Sequence, residues 1–324
     1  MKTIFVINPR AGQGKNIESF VSQVKETALK TGKDVFIYMT KAVGDAKRFV
    51  KEYCENNGAA RFISCGGDGT LNEVANAALG FDGAEVGVVP LGTGNDFVRN
   101  FGADFKNIEY QITGESVKCD IIKYTTELSG EQKEGYCVNM FNIGFDANVA
   151  SLASKLKEKP FISGSFAYFG SIIINLIKKK GANIKIEIDG EEVGKGEFLL
   201  SSVANGCYCG GGILSNPLAD ICDGRININI IRNVSRLKFI GLLPLYMKGT
   251  FLEKKGIEKI ISSVKCRKVM IEPLEGKIEM SCDGEIITAG KTNFEILEKK
   301  LSFVVPGMPR EETKELLTVG GEKK

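Results

Sequence analysis

The chain has 324 residues, 43% hydrophobic and 26% charged, the balance expected of a globular protein with room for two domains of ordinary size. Its net charge of +3 is too small to argue for a nucleic-acid partner. It has no histidine, which excludes every mechanism built on an imidazole base, a Ser-His pair or a histidine metal ligand.

The opening Met1–Pro9 has too short an apolar run for a signal peptide and reads as a buried first strand over Thr3–Ile7. Ile17, Phe20, Val21, Val24 and Ala28 then recur at helical spacing. Asp34–Met39 is a second strand. Ala46, Phe49, Val50, Tyr53 and Cys54 mark a second helix. Arg61–Cys65 is a third strand, Thr70–Leu79 a third helix, Glu85–Val89 a fourth strand, and a short helix follows Asn95. Repeated strand-helix units imply a parallel sheet covered on both faces.

After about Asp120 the pattern becomes β-rich, with runs at Tyr136–Ile143, Ile184–Ile188, Phe198–Val203, Ile226–Ile231, Val264–Ile271, Lys277–Met280, Phe294–Leu297 and Leu301–Val305. Two apolar helical insertions interrupt it, near 145–180 and 235–252. The run 161–177 carries Ser163, Gly164, Ser165, Gly170, Ser171 and Asn175 and falls short of a membrane span. The expected organisation is a three-layer α/β domain over 1–124 and a β-sandwich-like domain over 125–305. A tail helix at Glu311–Leu317, within 306–324, is expected to pack back on the first domain. Nine cysteines without a CxxC pair read as free thiols of a reducing cytoplasm rather than as a zinc ribbon.

Three glycine-rich loops follow strands of the first domain: Asn8 to Lys15 (Asn-Pro-Arg-Ala-Gly-Gln-Gly-Lys), Gly66-Gly67-Asp68-Gly69-Thr70, and Gly92-Thr93-Gly94-Asn95-Asp96. In a parallel sheet such loops converge at the carboxyl edge, where ligands bind. Glycines admit positive φ and a close approach of backbone to phosphate, and the amides opening the helix near Thr70 can hold an anion. Lys15 could neutralise phosphate charge. Asp68 repels phosphate directly, so a cation between them makes it a candidate magnesium ligand. The alternative is that the glycines only make tight turns. The spacing matches neither a Walker A loop nor a clean GxGxxG.

Gly66-Gly67-Asp68-Gly69-Thr70-Leu71-Asn72-Glu73 resembles the signature shared by diacylglycerol, sphingosine and ceramide kinases, while its GGDG core also occurs in NAD kinases and 6-phosphofructokinases. Pro90 to Phe97 (Pro-Leu-Gly-Thr-Gly-Asn-Asp-Phe), with Arg99 just after, resembles the diacylglycerol kinase catalytic domain more specifically. Asn142-Ile143-Gly144-Phe145-Asp146-Ala147 and the block from Asn205 through Gly224 are similar to further family blocks. The resemblance spans nearly the whole chain and points to the soluble bacterial diacylglycerol kinase group, not the small integral-membrane enzyme.

The resemblance implies an ATP-dependent lipid kinase using MgATP, with diacylglycerol as the expected acceptor and the active site expected between the domains. It implies a nucleotide site at Asn8, Gly12, Lys15, Thr40, Gly66, Gly67, Asp68, Gly69, Thr70, Thr93 and Asn95. Thr40 matches a family threonine that precedes a Gly-Asp-Ala element, here Gly44-Asp45-Ala46. Without histidine a carboxylate is the natural proton acceptor. Cys282-Asp283-Gly284-Glu285 resembles the family's Asp-Gly-Glu turn, which implies that Glu285 is the general base; the plain alternative is a hairpin turn with an exposed glutamate. Asp120, Asp220 and Asp223 suit a hard cation if folding gathers them, and the resemblance implies a second, structural magnesium there. Turn-forming aspartates are the other reading.

Lys155, Lys157 and Lys159 precede the apolar run 161–177, and Lys178-Lys179-Lys180 follow it. Arg232, Arg236 and Lys238 open a second Leu-rich run, Arg236–Phe251. Both suit docking on an anionic leaflet, the alternative being core helices with solvated ends. The expectation is a cytoplasmic enzyme at the inner membrane face, without transmembrane segment or nucleic-acid partner, and with an exposed edge strand that could pair two copies. Other acceptors (phosphatidylglycerol, sphingoid bases, polyprenols), an NAD or sugar-phosphate kinase, and a silent nucleotide or lipid sensor are the rival readings.

Overall fold

The computed structural model describes residues 1–14, 16–144 and 181–305. The chain divides into two compact units, Met1–Asp120 with Glu298–Lys324, and Ile121–Leu297.

In the first unit β1 (Thr3–Ile7) lies between β2 (Val35–Met39) and β3 (Arg61–Gly66), and β3 also pairs with β4 (Glu85–Pro90); all these pairings are parallel. The helices α1 (Ile17–Thr31), α2 (Asp45–Asn57) and α3 (Asp68–Ala78) connect successive strands, as parallel pairing requires. β1 and β3 are buried at every position, the mark of a sheet covered on both sides. Phe5 and Ile7 of β1 share a core with Val24 of α1 and with Ile108 and Ile112 of the short helix α4 (Ile108–Thr113), while α2 packs on α3.

The second unit is antiparallel. β5 (Ser116–Leu128) enters it and pairs with β6 (Glu131–Cys137). The long β9 (Glu191–Ala204) changes partner along its length. Its first half pairs with β8 (Ala182–Ile188), and its second half with β7 (Met140–Gly144) and β10 (Ile226–Arg232). β10 continues to β11 (Ile261–Cys266), β8 to β12 (Lys268–Pro273), and β7 to β13 (Ile278–Cys282), which forms a hairpin with β14 (Glu285–Ala289). Ile122, Phe141, Ile184, Ile186, Ile228, Val269 and Phe294 fill the core of these strands. The helix α5 (Arg236–Lys248) covers a second cluster around Leu199, Leu200, Ile231 and Phe251.

Two strand readings change. Phe294–Leu297 and Leu301–Val305 are one strand, β15 (Thr292–Val304), kinked where Lys299 takes a φ of 53°. Tyr136–Ile143 is two strands, broken at Val138 and Asn139, whose amides turn to a side chain instead of a neighbouring strand. The insertion at 145–180 and the tail at 306–324 lie outside the described residues. Among the described residues no helix is long and apolar enough to cross a membrane.

Candidate active site

The three glycine loops of the first unit are bonded to one another. Asn8 leaves β1 with its amide donating to the carbonyl of Cys65, and its Nδ2 reaches Thr70 Oγ1 at 3.3 Å, joining the first loop to the second. The amides of Leu91 and Gly92 both donate to the carbonyl of Gly66, at 2.9 and 3.0 Å, joining the third loop to the second. Gly12 has a φ of 59°, and a Cβ there would stand 2.9 Å from the carbonyl oxygen of Leu91. A Cβ on Gly66 would run into the Thr70 side chain, and one on Gly92 into the Cα of Gly67. At Gly12 and Gly92 glycine is needed because backbone meets backbone with no room between, and at Gly66 because the Thr70 side chain fills the space.

Asp68 opens α3 at the centre of this arrangement. Its Oδ1 accepts the amide of Asp96 at 2.8 Å and that of Phe97 at 3.4 Å. Its Oδ2 and the Oδ2 of Asp96 lie 2.8 and 3.4 Å from where a Cβ of Gly94 would sit, so two carboxylates flank one glycine. Arg99 holds the same corner, with Nε 3.6 Å from Asp96 Oδ1 and a guanidinium N–H donated to the Gly94 carbonyl. Two acids beside a glycine cradle are hard oxygen donors of the kind magnesium takes. Asp96 is buried and was not singled out by the sequence reading, which took it as part of the loop. Asn95 adopts a φ of 51° and donates from Nδ2 to the Gly92 carbonyl at 2.7 Å, which shapes the third loop; Thr93 is exposed on it. Gly67 and Gly69 flank Asp68 at the start of α3. Thr40, at the end of β2, donates its amide to the Ile7 carbonyl and so stands beside the first loop. Lys15 lies outside the described residues.

The rest of the second motif is structural. Glu73 accepts the amides of Gly44, Ala46 and Lys47, capping α2 from α3. Asp45 accepts the Lys41 amide and pairs with Arg48. Burial pushes the Asp45 carboxyl up, but these two donors together with the Tyr38 hydroxyl outweigh it and hold the group below its ordinary range.

In the second unit Asp283 and Gly284, with φ of 47° and 89°, form the two-residue turn between β13 and β14, and Glu285 opens β14 opposite Cys282. Glu285 is exposed. The buried carboxylate of Asp283 accepts the amides of Val138, Asn139 and Met140 at 2.8–3.0 Å, and the Cys137 thiol at 3.0 Å. The same corner receives the block from Asn205 onward: Asn205 donates to the Val138 carbonyl, and Asn139 to that of Tyr208. Cys137, Cys282 and Asp283 are the described group whose ligand atoms lie within 4.8 Å of one another. Their chemistry does not fit a metal, since the carboxylate is occupied by amides and burial pushes the Cys137 thiol well above its ordinary range.

Of the three aspartates expected at a second metal, Asp120 belongs to the first unit and Asp220 and Asp223 to the second. Asp120, fully buried in the first unit, accepts the Lys299 amide at 2.8 Å and so supports the kink of β15. Asp220 and Asp223 each accept the amide two residues on, that of Cys222 and of Arg225, both at 2.9 Å, which is the turn-forming role. Asp223 also meets Lys265 Nζ at 2.6 Å. Burial, with the Asp220 charge adding to it, raises Asp223 above its ordinary range despite that lysine.

Comparison with known proteins agrees with this architecture. Residues 2–124 match the diacylglycerol kinase catalytic domain, and residues 139–305 match the YegS C-terminal NAD kinase β-sandwich-like domain. A Pseudomonas aeruginosa protein named probable lipid kinase YegS-like is 27% identical over 306 residues, covering 94% of each chain. Among solved structures, a putative diacylglycerol kinase from Bacillus anthracis str. Sterne has a TM-score of 0.72 at 23% identity, covering 94% of this chain and 95% of that one. Yeast NADH kinase has a TM-score of 0.52 at 12% identity, covering 100% and 89%. The interlocked glycine loops of the first unit and the β-rich second unit thus carry the two domain signatures in order, and the chain belongs to the YegS/diacylglycerol kinase family.

Proposed function

We propose that the chain transfers the γ-phosphoryl group of ATP to a hydroxyl group of a lipid, with diacylglycerol as acceptor and phosphatidic acid as product. The observation that carries this reading is the bonding of Asn8–Gly12, Gly66–Thr70 and Gly92–Asp96 into one cradle around Asp68. The names of the similar proteins, lipid kinase and diacylglycerol kinase, support the acceptor class.

Asn8, Gly12, Thr40, Gly66, Gly67, Gly69, Thr70, Thr93 and Asn95 would contact the nucleotide, with Lys15 on its phosphates. Asp68 and Asp96 would hold magnesium, which when bound neutralises phosphate charge. Glu285 would accept the proton of the lipid hydroxyl as that oxygen bonds to the γ-phosphorus and the bond to the β-phosphate oxygen breaks, releasing ADP. Its exposure at a hairpin end suits contact with an acceptor. Orientation and charge stabilisation supply most of the acceleration in such transfers. Asp220 and Asp223 would hold a structural cation. The enzyme would act at the cytoplasmic face of the membrane.

The test is labelled ATP with the purified chain and, in separate mixed micelles, diacylglycerol, phosphatidylglycerol, a sphingoid base or a polyprenol, and NAD in solution. Labelled phosphatidic acid is the expected product. Labelling of NAD alone would replace the reading with a dinucleotide kinase, and no ATP turnover on any acceptor would leave a sensor.

A further inference from the structure

The helix α5 is apolar on two faces. Phe239, Leu242 and Tyr246 are buried against the core of the second unit. On the outer side Leu237 is 84% exposed, Ile240 51% and Met247 41%, and Pro244 is exposed with them. Positions 237, 240, 244 and 247 follow one another at steps of three and four, which lines them up as a single stripe. A surface helix ordinarily turns charge to water on that side, and a helix apolar all round is ordinarily buried. This one leaves its second apolar face open.

The surrounding charge says what would cover it. Between 232 and 255 the chain has Arg232, Arg236, Lys238, Lys248, Lys254 and Lys255 against Glu253, six positive charges and one negative, a net +5 in a chain whose total is +3. Arg232, Lys238, Lys248, Lys254 and Lys255 are exposed. An apolar stripe set among cations is complementary to a surface that is anionic outside and apolar beneath, the interface of a bilayer with acidic headgroups. A second copy of the chain would bring the same positive charges face to face. One face of a helix about 20 Å long also falls well short of the ~800 Å² per partner of a stable dimer.

We propose that the outer stripe of α5 docks on an anionic bilayer, with Leu237, Ile240 and Met247 entering the acyl boundary and Lys238 and Lys248 meeting the headgroups. The docking needs no nucleotide and no catalysis, and so goes beyond the phosphoryl-transfer reading. Its consequence for that reading is that the enzyme reaches an acceptor without extracting it into water.

The test is flotation of the purified chain with vesicles of phosphatidylcholine alone or mixed with phosphatidylglycerol, without nucleotide. Binding is expected on the anionic vesicles, weakened by salt. The combined Leu237→Glu, Ile240→Glu and Met247→Glu variant is expected to bind them at least about tenfold more weakly. Lys238→Glu with Lys248→Glu is expected to lose the preference for phosphatidylglycerol; it keeps the test decisive if the triple variant does not fold. Leu29→Glu, on α1 and 83% exposed, is expected to bind as the parent does. Equal binding to both vesicle types, or undiminished binding by both α5 variants, overturns the proposal. So does a parent dimer that the triple variant splits, which would assign the stripe to a second copy. With neither ATP nor acceptor present, the outcome is independent of whether the chain is a kinase.

Discussion

Asp68 accepts the backbone amide of Asp96 on Oδ1 at 2.8 Å, and through that bond the loop that opens α3 holds the loop that follows β4. Hydrogen bonds to a charged acceptor contribute about 1.5–3 kcal/mol. Asp68→Ala should therefore loosen the third loop and lower phosphoryl transfer about a hundredfold or more. Asp68→Asn keeps a carbonyl oxygen able to accept the amide, but no charge for a cation. It should recover the melting temperature and not the activity. Thermal melts beside a labelled-ATP assay separate the two effects, and an active Asp68→Ala enzyme would remove the residue from the mechanism.

The cradle also depends on the absence of a side chain at Gly92. A Cβ there would run into the Cα of Gly67 and stand 3.0 Å from Asn95 Oδ1, so the obstacle is largely backbone that cannot swing aside. Gly92→Ala should part the second and third loops and weaken MgATP binding about tenfold or more by calorimetric titration. Gly80→Ala is the control, since its Cβ would meet only the Ala77 carbonyl, at an ordinary 3.7 Å. Equal affinity in the two variants would mean that the nucleotide does not bind in this cradle.

Asp283 and Glu285, two residues apart, should fail in different ways. Glu285→Gln keeps size and shape, and is expected to melt normally, bind MgATP normally and lose about a hundredfold or more of its turnover. Asp283→Ala strips the acceptor from three buried amides, those of Val138, Asn139 and Met140. Each buried donor left unsatisfied costs about 1–3 kcal/mol, so this variant should lose several kcal/mol of stability in denaturant titration. Stability loss in Glu285→Gln, or none in Asp283→Ala, would reverse the assignment.

What could be read before the structure follows from how local each signal is. Thr3–Ile7 and Arg61–Cys65 announce themselves as buried parallel strands because both faces are apolar, and the glycine loops because positive φ and close approach demand that residue. The Asp68–Asp96 bond spans 28 residues and the bonds of Asp283 to Val138–Met140 span 143 to 145, distances at which no periodicity carries information. β15 looked like two strands because the Glu298-Lys299-Lys300 stretch is polar. It is one because Asp120, 179 residues away, takes the amide of Lys299 at the kink. For α5 the composition showed an apolar helix among cations, but which of its faces stays open depends on the strands beneath it.

Asp223 gives a prediction in pH and metal. Burial raises its pKa above the ordinary 3.8, so the folded chain binds that proton more tightly than the unfolded chain does. The resulting stability is fully present below the ordinary value and is lost as pH rises through the folded value, above which the charged form is disfavoured relative to the unfolded chain. In a chelator, Asp223→Asn should therefore gain on the parent in melting temperature as pH rises above the ordinary carboxylate value. Asparagine can still accept the Arg225 amide, although it gives up the charge facing Lys265. Magnesium should reverse the order at neutral pH, because a cation bound to Asp220 and Asp223 stabilises the folded parent in proportion to its occupancy and gains little from the variant. If magnesium raises both melting temperatures equally, the two aspartates are turn formers and the cation binds elsewhere.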